Sequence, residues 1–220
     1  GGACHSRCGR RRRADRDGIH VRGTRMRVDG PQLVQVAIEG DAINEGGRQI
    51  GRLSINDNDI RNVDRDGINI RNLSDTSIEA NDIRNADRDG IRVTNSRGIT
   101  IETNTVSDTL TGIHVRGDSD DVLISGNTTS LNNTGISGEL SNNIRILTNT
   151  LTGDSFGILL DGVTVGSIAD NILTAGKGKV ITGISVSNSP AVVVDRNSVT
   201  DYFDGIGVRS SNGAFIRDND

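Results

Sequence analysis

Arg71, Arg92, His114 and Arg116 sit at matching points of three similar segments: Gly67-Ile68-Asn69-Ile70-Arg71, Gly90-Ile91-Arg92-Val93-Thr94 and Gly112-Ile113-His114-Val115-Arg116. Asp66 and Asp89 open the first two. Guanidinium groups bind anionic oxygens through paired, charge-assisted N–H bonds, so grouped arginines are a means of holding an acidic ligand. Asn69 adds an amide that both donates and accepts. The plain alternative is a solvated face with Asp–Arg pairs between neighbouring segments. A second basic feature, Thr174-Ala175-Gly176-Lys177-Gly178-Lys179, holds both lysines of the chain. It reads as a surface insertion whose Lys177 and Lys179 rim a groove, or as an insertion that the loop simply tolerates.

Only a repeating fold brings these residues together. An asparagine recurs at Asn58, Asn81, Asn104, Asn127, Asn149, Asn171, Asn197 and Asn219, in steps of 23, 23, 23, 22, 22, 26 and 22 residues. A Gly-Ile pair recurs in phase, and each glycine precedes the next asparagine by 14 residues, once by 15. Such register means one structural unit per period, stacked on its neighbours. Within a period the apolar residues alternate with polar ones over short runs, the mark of half-buried strands. Gly90 to Val93, Ile99 to Ile101 and Asn104 to Val106 give three strands, separated by turn residues. The inward positions are mostly isoleucine and valine, which suit a pleated surface. The expectation is an all-β, parallel solenoid with three short strands per rung of 22–23 residues. Alternation then turns Asn69, Arg92, His114, Arg71 and Arg116 outward on neighbouring rungs, within about 10–15 Å. The asparagines are expected to form a structural ladder, each amide bonding the next rung.

The chain has 220 residues with 28 glycines and 2% aromatics, which implies a thin core of small and branched side chains. Its net charge is −4, unevenly placed: residues 1–27 hold nine arginines against Asp15 and Asp17, a net +7, leaving −11 on the remainder. An acidic body argues against nucleic-acid binding, which needs a basic footprint. No apolar run is long enough to span a membrane, and no signal peptide is visible. The chain lacks an initial Met and stops in mid-repeat at Asp220, as a piece of a longer protein would. Residues 1–13, with Arg10 to Arg13, read as a basic disordered arm, and residues 14–220 as the solenoid. The register is irregular at 24–52, where Val36 to Ile43 reads as a middle and third strand with Asp41 in the asparagine slot.

No cofactor is expected. Cys4-His5-Ser6-Arg7-Cys8 offers two thiols and an imidazole, short of a four-ligand zinc site; a local disulfide or free thiols are the other readings. Asp118, Asp120 and Asp121 could hold calcium or form a solvated turn.

The repeated Gly-Ile-x-Val and Ile-x-x-Asn-x-Ile pattern over residues 53–220 resembles the right-handed parallel β-helix family, the pectin-lyase-like group. Asp15 to Val21 extends the likeness, matching Asp64 to Ile70. The resemblance implies an extracellular, cell-surface or periplasmic protein that binds or degrades an anionic polysaccharide. Polysaccharide lyases of this fold suggest β-elimination at a uronate, with Arg92, His114 or Arg116 as base and Arg71, Asn69, Lys177 and Lys179 on the substrate. The Asn-Thr-Asp, Asp-Asp and Gly-His-Gly set of the galacturonan hydrolases is absent, as is the Asp-Pro-His motif of the alginate epimerases. A structural or adhesive surface solenoid is the competing reading, because the repeats are so uniform.

Overall fold

The computed structural model describes residues 53–176 and 181–220, and before them the backbone of the strands Ile19–Val21, Arg27–Asp29 and Val36–Glu39. The expected arm at 1–13, with Cys4, His5 and Cys8, and the lysines Lys177 and Lys179 lie outside the described residues. The chain winds into an all-β, right-handed parallel solenoid of about 7 turns with about 23 residues per turn.

Stacking is like on like. Ile68, Ile91, Ile113, Ile136, Ile158, Ile184 and Ile206 pair in one column. Ile55, Ile78, Ile101, Ile124, Ile146, Ile168, Val194 and Ile216 form a second. Ile60, Ile83, Val106, Thr129, Leu151, Leu173 and Val199 form the third. Most of these side chains are fully buried in one continuous core. Each buried isoleucine contributes about 2 kcal/mol, and no aromatic ring is needed to fill so narrow an interior.

The three strand columns make two sheets, of 14 and 9 strands. Asp82–Thr94 and Thr105–Arg116 each run from the third strand of one rung into the first strand of the next. The corner within them is a single left-handed residue, Asn85 or Asp108, with φ of 56° and 55°. One such residue bends the strand while pairing with the adjacent rung continues.

Val36–Glu39 does not take the middle-strand place its sequence suggested. It pairs with Ile68–Arg71 on one side and Ile19–Val21 on the other, so it is a first strand. Arg27–Asp29 occupies the middle-strand column, beside Ser54–Asn56. The extra residues therefore fall between Glu39 and Ser54. Val36 has no Gly-Ile mark before it, so the sequence offered nothing to set its phase, and Asp41 lies outside the described residues.

The asparagine ladder is continuous from Asn58 to Asn219. Each Nδ2 donates to Oδ1 of the next asparagine at 2.7–3.0 Å. The same Oδ1 accepts the preceding asparagine's backbone N–H at 2.9–3.1 Å. From Asn81 onward Nδ2 also donates to a carbonyl of the rung before, such as Ile55 or Ile78. The residue before each asparagine, Thr103 among them, is left-handed with φ of 51–62°. That conformation costs about 1–2 kcal/mol for a residue with a Cβ, and the ladder bonds hold it.

Two further ladders were not read from the sequence. Ser96, Ser119, Ser189 and Ser211 accept backbone N–H groups of the preceding rung through Oγ. At a third corner Asn132 Oδ1 accepts from Thr109, and Asp154 accepts from Asn132 and Thr129. Burial pushes the Asp154 carboxyl up to about 6, against its hydrogen bonds, which pull the other way. A raised carboxyl favours the fold below its ordinary value near 3.8 and loses that contribution as pH rises through about 6. The loss amounts to about 2–3 kcal/mol. Asp154→Asn keeps the shape and continues the asparagine above it. Denaturant titrations from pH 3.5 to 7.5 should show a flatter stability profile for this variant and greater stability than the parent at pH 7.

The recurring glycines are set by stacking. A Cβ at Gly90 would lie 2.2 Å from Val106 Cγ1 and 2.7 Å from the Gly112 carbonyl oxygen. The oxygen belongs to the next rung's backbone and cannot move aside alone. Gly90→Ala is expected to cost about 2 kcal/mol by overpacking, read as a lower thermal midpoint.

Candidate functional site: an arginine-lined groove

The first strands Ile68–Arg71, Asp82–Thr94 and Thr105–Arg116 place their outward residues in columns. Asn69 pairs with Arg92, which pairs with His114. Arg71 pairs with Thr94, which pairs with Arg116. Adjacent rungs lie about 4.8 Å apart, so these side chains share one surface.

That surface is a groove of about 430 Å³ lined by five arginines: Arg65, Arg71, Arg88, Arg92 and Arg116. Asn69, Thr94 and Asn95 complete the lining with neutral polar groups, and Asp66 is its single carboxylate. Arg65 precedes Ile68–Arg71 and Arg88, its equivalent, lies within Asp82–Thr94; they stack in successive rungs, the Arg88 N–H donating to the Arg65 carbonyl at 3.3 Å. Arg71 and Arg116 stand at the far end of the strand. Arg92 lies between them, in the Asn69 column.

The two aspartates that open the strands are buried and engaged. Asp66 accepts from Asn69 Nδ2 at 3.0 Å and from the Asp89 backbone N–H at 3.3 Å. Asp89 faces Arg92 Nη1 at 3.5 Å and His114 Nδ1 at 3.0 Å. Arg92 is thereby paired and fixed. Among the described residues Arg65, Arg71, Arg88 and Arg116 have no carboxylate within ion-pair distance. Elsewhere on the surface arginine commonly faces aspartate: Arg61 and Arg84 with Asp82, Arg97 with Asp120, Arg196 with Asp170, Arg217 with Asp195. The groove departs from that habit, on a chain of net charge −4. Guanidiniums that share a groove repel one another, and an anion between them relieves this.

The structure therefore brings together Asn69, Arg71, Arg92 and Arg116 of the residues expected from the sequence. His114 is beside them in register but turns away. Its Nδ1 meets Asp89, and its buried Nε2 lies 3.5 Å from Glu139 Oε1. Arg65 and Arg88 were missed. Their signal was present in the repeated Asp-Arg-Asp-Gly at residues 64–67 and 87–90, just before the strands that drew attention.

Metal donors are sparse in the described part. His114 is the one histidine whose side chain is described, and no three His, Cys, Asp or Glu side chains are grouped to hold an ion among the described residues. Asp120 and Asp121 instead face Arg97 at 3.3 and 3.6 Å and accept from Asn142 and Asn143.

The fold is that of a pectin-lyase-like parallel β-helix. The chain belongs to the family of periplasmic copper-binding proteins (NosD), whose pattern matches residues 10–220. No curated protein matches it in sequence. Solved structures share the fold. XylC in complex with xylose is 14% identical with a TM-score of 0.64 over 88% of this chain and 36% of its own. A mutant of DFA-IIIase from Arthrobacter chlorophenolicus A6 in complex with DFA-III is 16% identical with a TM-score of 0.58, over 79% of this chain and 44% of its own. Dettilon tailspike protein (gp208) is 16% identical with a TM-score of 0.62, over 93% of this chain and 57% of its own. The chain thus spans less than two thirds of each.

Proposed function

We propose that the solenoid binds an anionic polysaccharide along the arginine-lined groove. The observation that carries this reading is the set of four guanidiniums in one groove of an acidic protein, without carboxylate partners among the described residues. Arginine forks suit carboxylate oxygens, and a groove open along several rungs suits a polymer. The fold neighbours support the class of ligand: XylC was solved with xylose and DFA-IIIase with DFA-III. A periplasmic location follows the family's name.

The same name points to copper, and the described residues do not fit it. Copper is held by imidazole and sulfur donors. His114 is already engaged and stands beside Arg92, whose charge repels a cation. The other soft donors of the sequence, Cys4, His5, Cys8, His20 and Met26, have side chains outside the described residues. No step is assigned to a metal.

A lyase step would remove the proton beside a uronate carboxylate, break the C–O bond to the leaving sugar and leave an unsaturated end. With His114 Nε2 buried, Arg92 and Arg116 are the bases within reach of the groove. Pectate, alginate and glycosaminoglycan oligosaccharides should be tested for binding by calorimetry and for turnover by absorbance of unsaturated product. Micromolar binding without product supports a binding module. Product formation that Arg92→Ala or Arg116→Ala abolishes makes it a lyase. No binding to any of them rejects the proposal and leaves a structural solenoid.

A further inference from the structure

The arrangement of the arginines says more about the ligand than its sign. Arg65 and Arg71 belong to one rung but stand at opposite ends of the first strand, so both banks of the groove are cationic at the same height. Arg88 repeats the corner bank on the next rung, and Arg116 repeats the far bank two rungs from Arg71. The one groove carboxylate, Asp66, and its neighbour Asp89 neutralise none of these four, being held by Asn69, by a backbone N–H, by Arg92 and by His114.

A rung advances by about 4.8 Å, close to the advance of one sugar in an extended chain. A polymer lying along the axis therefore presents about one sugar per rung. A plain polyuronate carries one carboxylate per sugar and reaches one bank at each level, leaving Arg65 or Arg71 unpaired on the rung that carries both. We infer that the polymer bound here carries more than one anionic group per sugar, a sulfated glycan laid along the solenoid axis with acidic groups on both edges. This rests on the polysaccharide reading above and narrows its substrate class. The choice of arginine fits, because the guanidinium fork meets two oxygens of a sulfate ester at once, where an ammonium meets them as a point charge.

The test compares three hexasaccharides by calorimetry at fixed ionic strength: heparin, the same heparin after desulfation, and galacturonate. Arg10 to Arg13 are replaced by alanine in every sample, so that this run of four arginines does not contribute. Heparin should bind about tenfold or more tighter than hexagalacturonate, and desulfated heparin weakest. Arg65→Ala with Arg88→Ala should weaken heparin much more than hexagalacturonate and so remove most of that preference. Arg145→Ala, an exposed arginine of another face, should change neither. Far-ultraviolet dichroism and the thermal midpoint check that the double variant folds. Equal or tighter binding of hexagalacturonate overturns this inference and leaves the polysaccharide reading standing. A heparin preference that survives loss of Arg65 and Arg88 overturns it also. Failure of every hexasaccharide to bind removes both.

Discussion

Asn104→Ala should lower the unfolding free energy by about 3–4 kcal/mol, as should alanine at the equally bonded Asn127 or Asn149. Asn104 Oδ1 accepts two N–H groups of Asn81, backbone at 3.0 Å and side chain at 2.8 Å. Its Nδ2 donates to Ile78, Glu102 and Asn127. Alanine leaves the buried Asn81 backbone N–H without its partner. The left-handed Thr103, φ 54°, loses the bonds that hold it. Asn104→Asp separates hydrogen bonding from packing. It keeps the acceptor for Asn81 but turns a second oxygen toward three acceptors. Its buried carboxyl would be raised, so its stability is greatest at low pH and falls as pH rises through the folded value. Urea titrations at pH 5 and 8 read both effects. An alanine variant with an unchanged midpoint would contradict the ladder's structural role.

The second large effect concerns binding. Arg71→Ala combined with Arg116→Ala should weaken an anionic oligosaccharide by about 100-fold, near 2.7 kcal/mol for two charge-assisted contacts. Both side chains stand at strand ends in one column, with Thr94 between them, and neither supports a neighbour through a described ion pair. The fold should therefore tolerate their loss, with the thermal midpoint unchanged within error. Raising salt should erase much of the difference between parent and variant, because exposed charges are screened. Arg92→Ala is a less clean test, since it leaves Asp89 with His114 alone.

The sequence was transparent where one requirement recurs in every rung. A glycine must stand at Gly90 because the next rung's carbonyl fills the place of a Cβ, and an asparagine at Asn104 because it serves three rungs at once. Period, strand columns and inward faces were legible for that reason. Legibility failed where the requirement is met by different residues. The corner ladder uses Thr109, Asn132 and Asp154 in turn, so no letter repeats to betray it. Val36–Glu39 has the alternation of a first strand without its glycine. The groove was half legible. Alternation placed Arg71, Arg92 and Arg116 together, but it cannot say that His114 turns to Asp89 and Glu139, because that is a rotamer decided by neighbours on other rungs. Nor does it place Arg65 and Arg88, which precede the Gly-Ile pair and whose direction depends on the coil.

If the groove arginines hold an anionic sugar polymer, their side-chain signals report it one residue at a time. Titration of the nitrogen-labelled chain with a short acidic oligosaccharide, followed through the Nε–Hε resonances, is the direct measurement. The account predicts saturable shifts at Arg65, Arg71, Arg88 and Arg116, with Arg145 and Arg209 unmoved. Shifts confined to the arginines of residues 1–27, or spread evenly over all surface arginines, would contradict it.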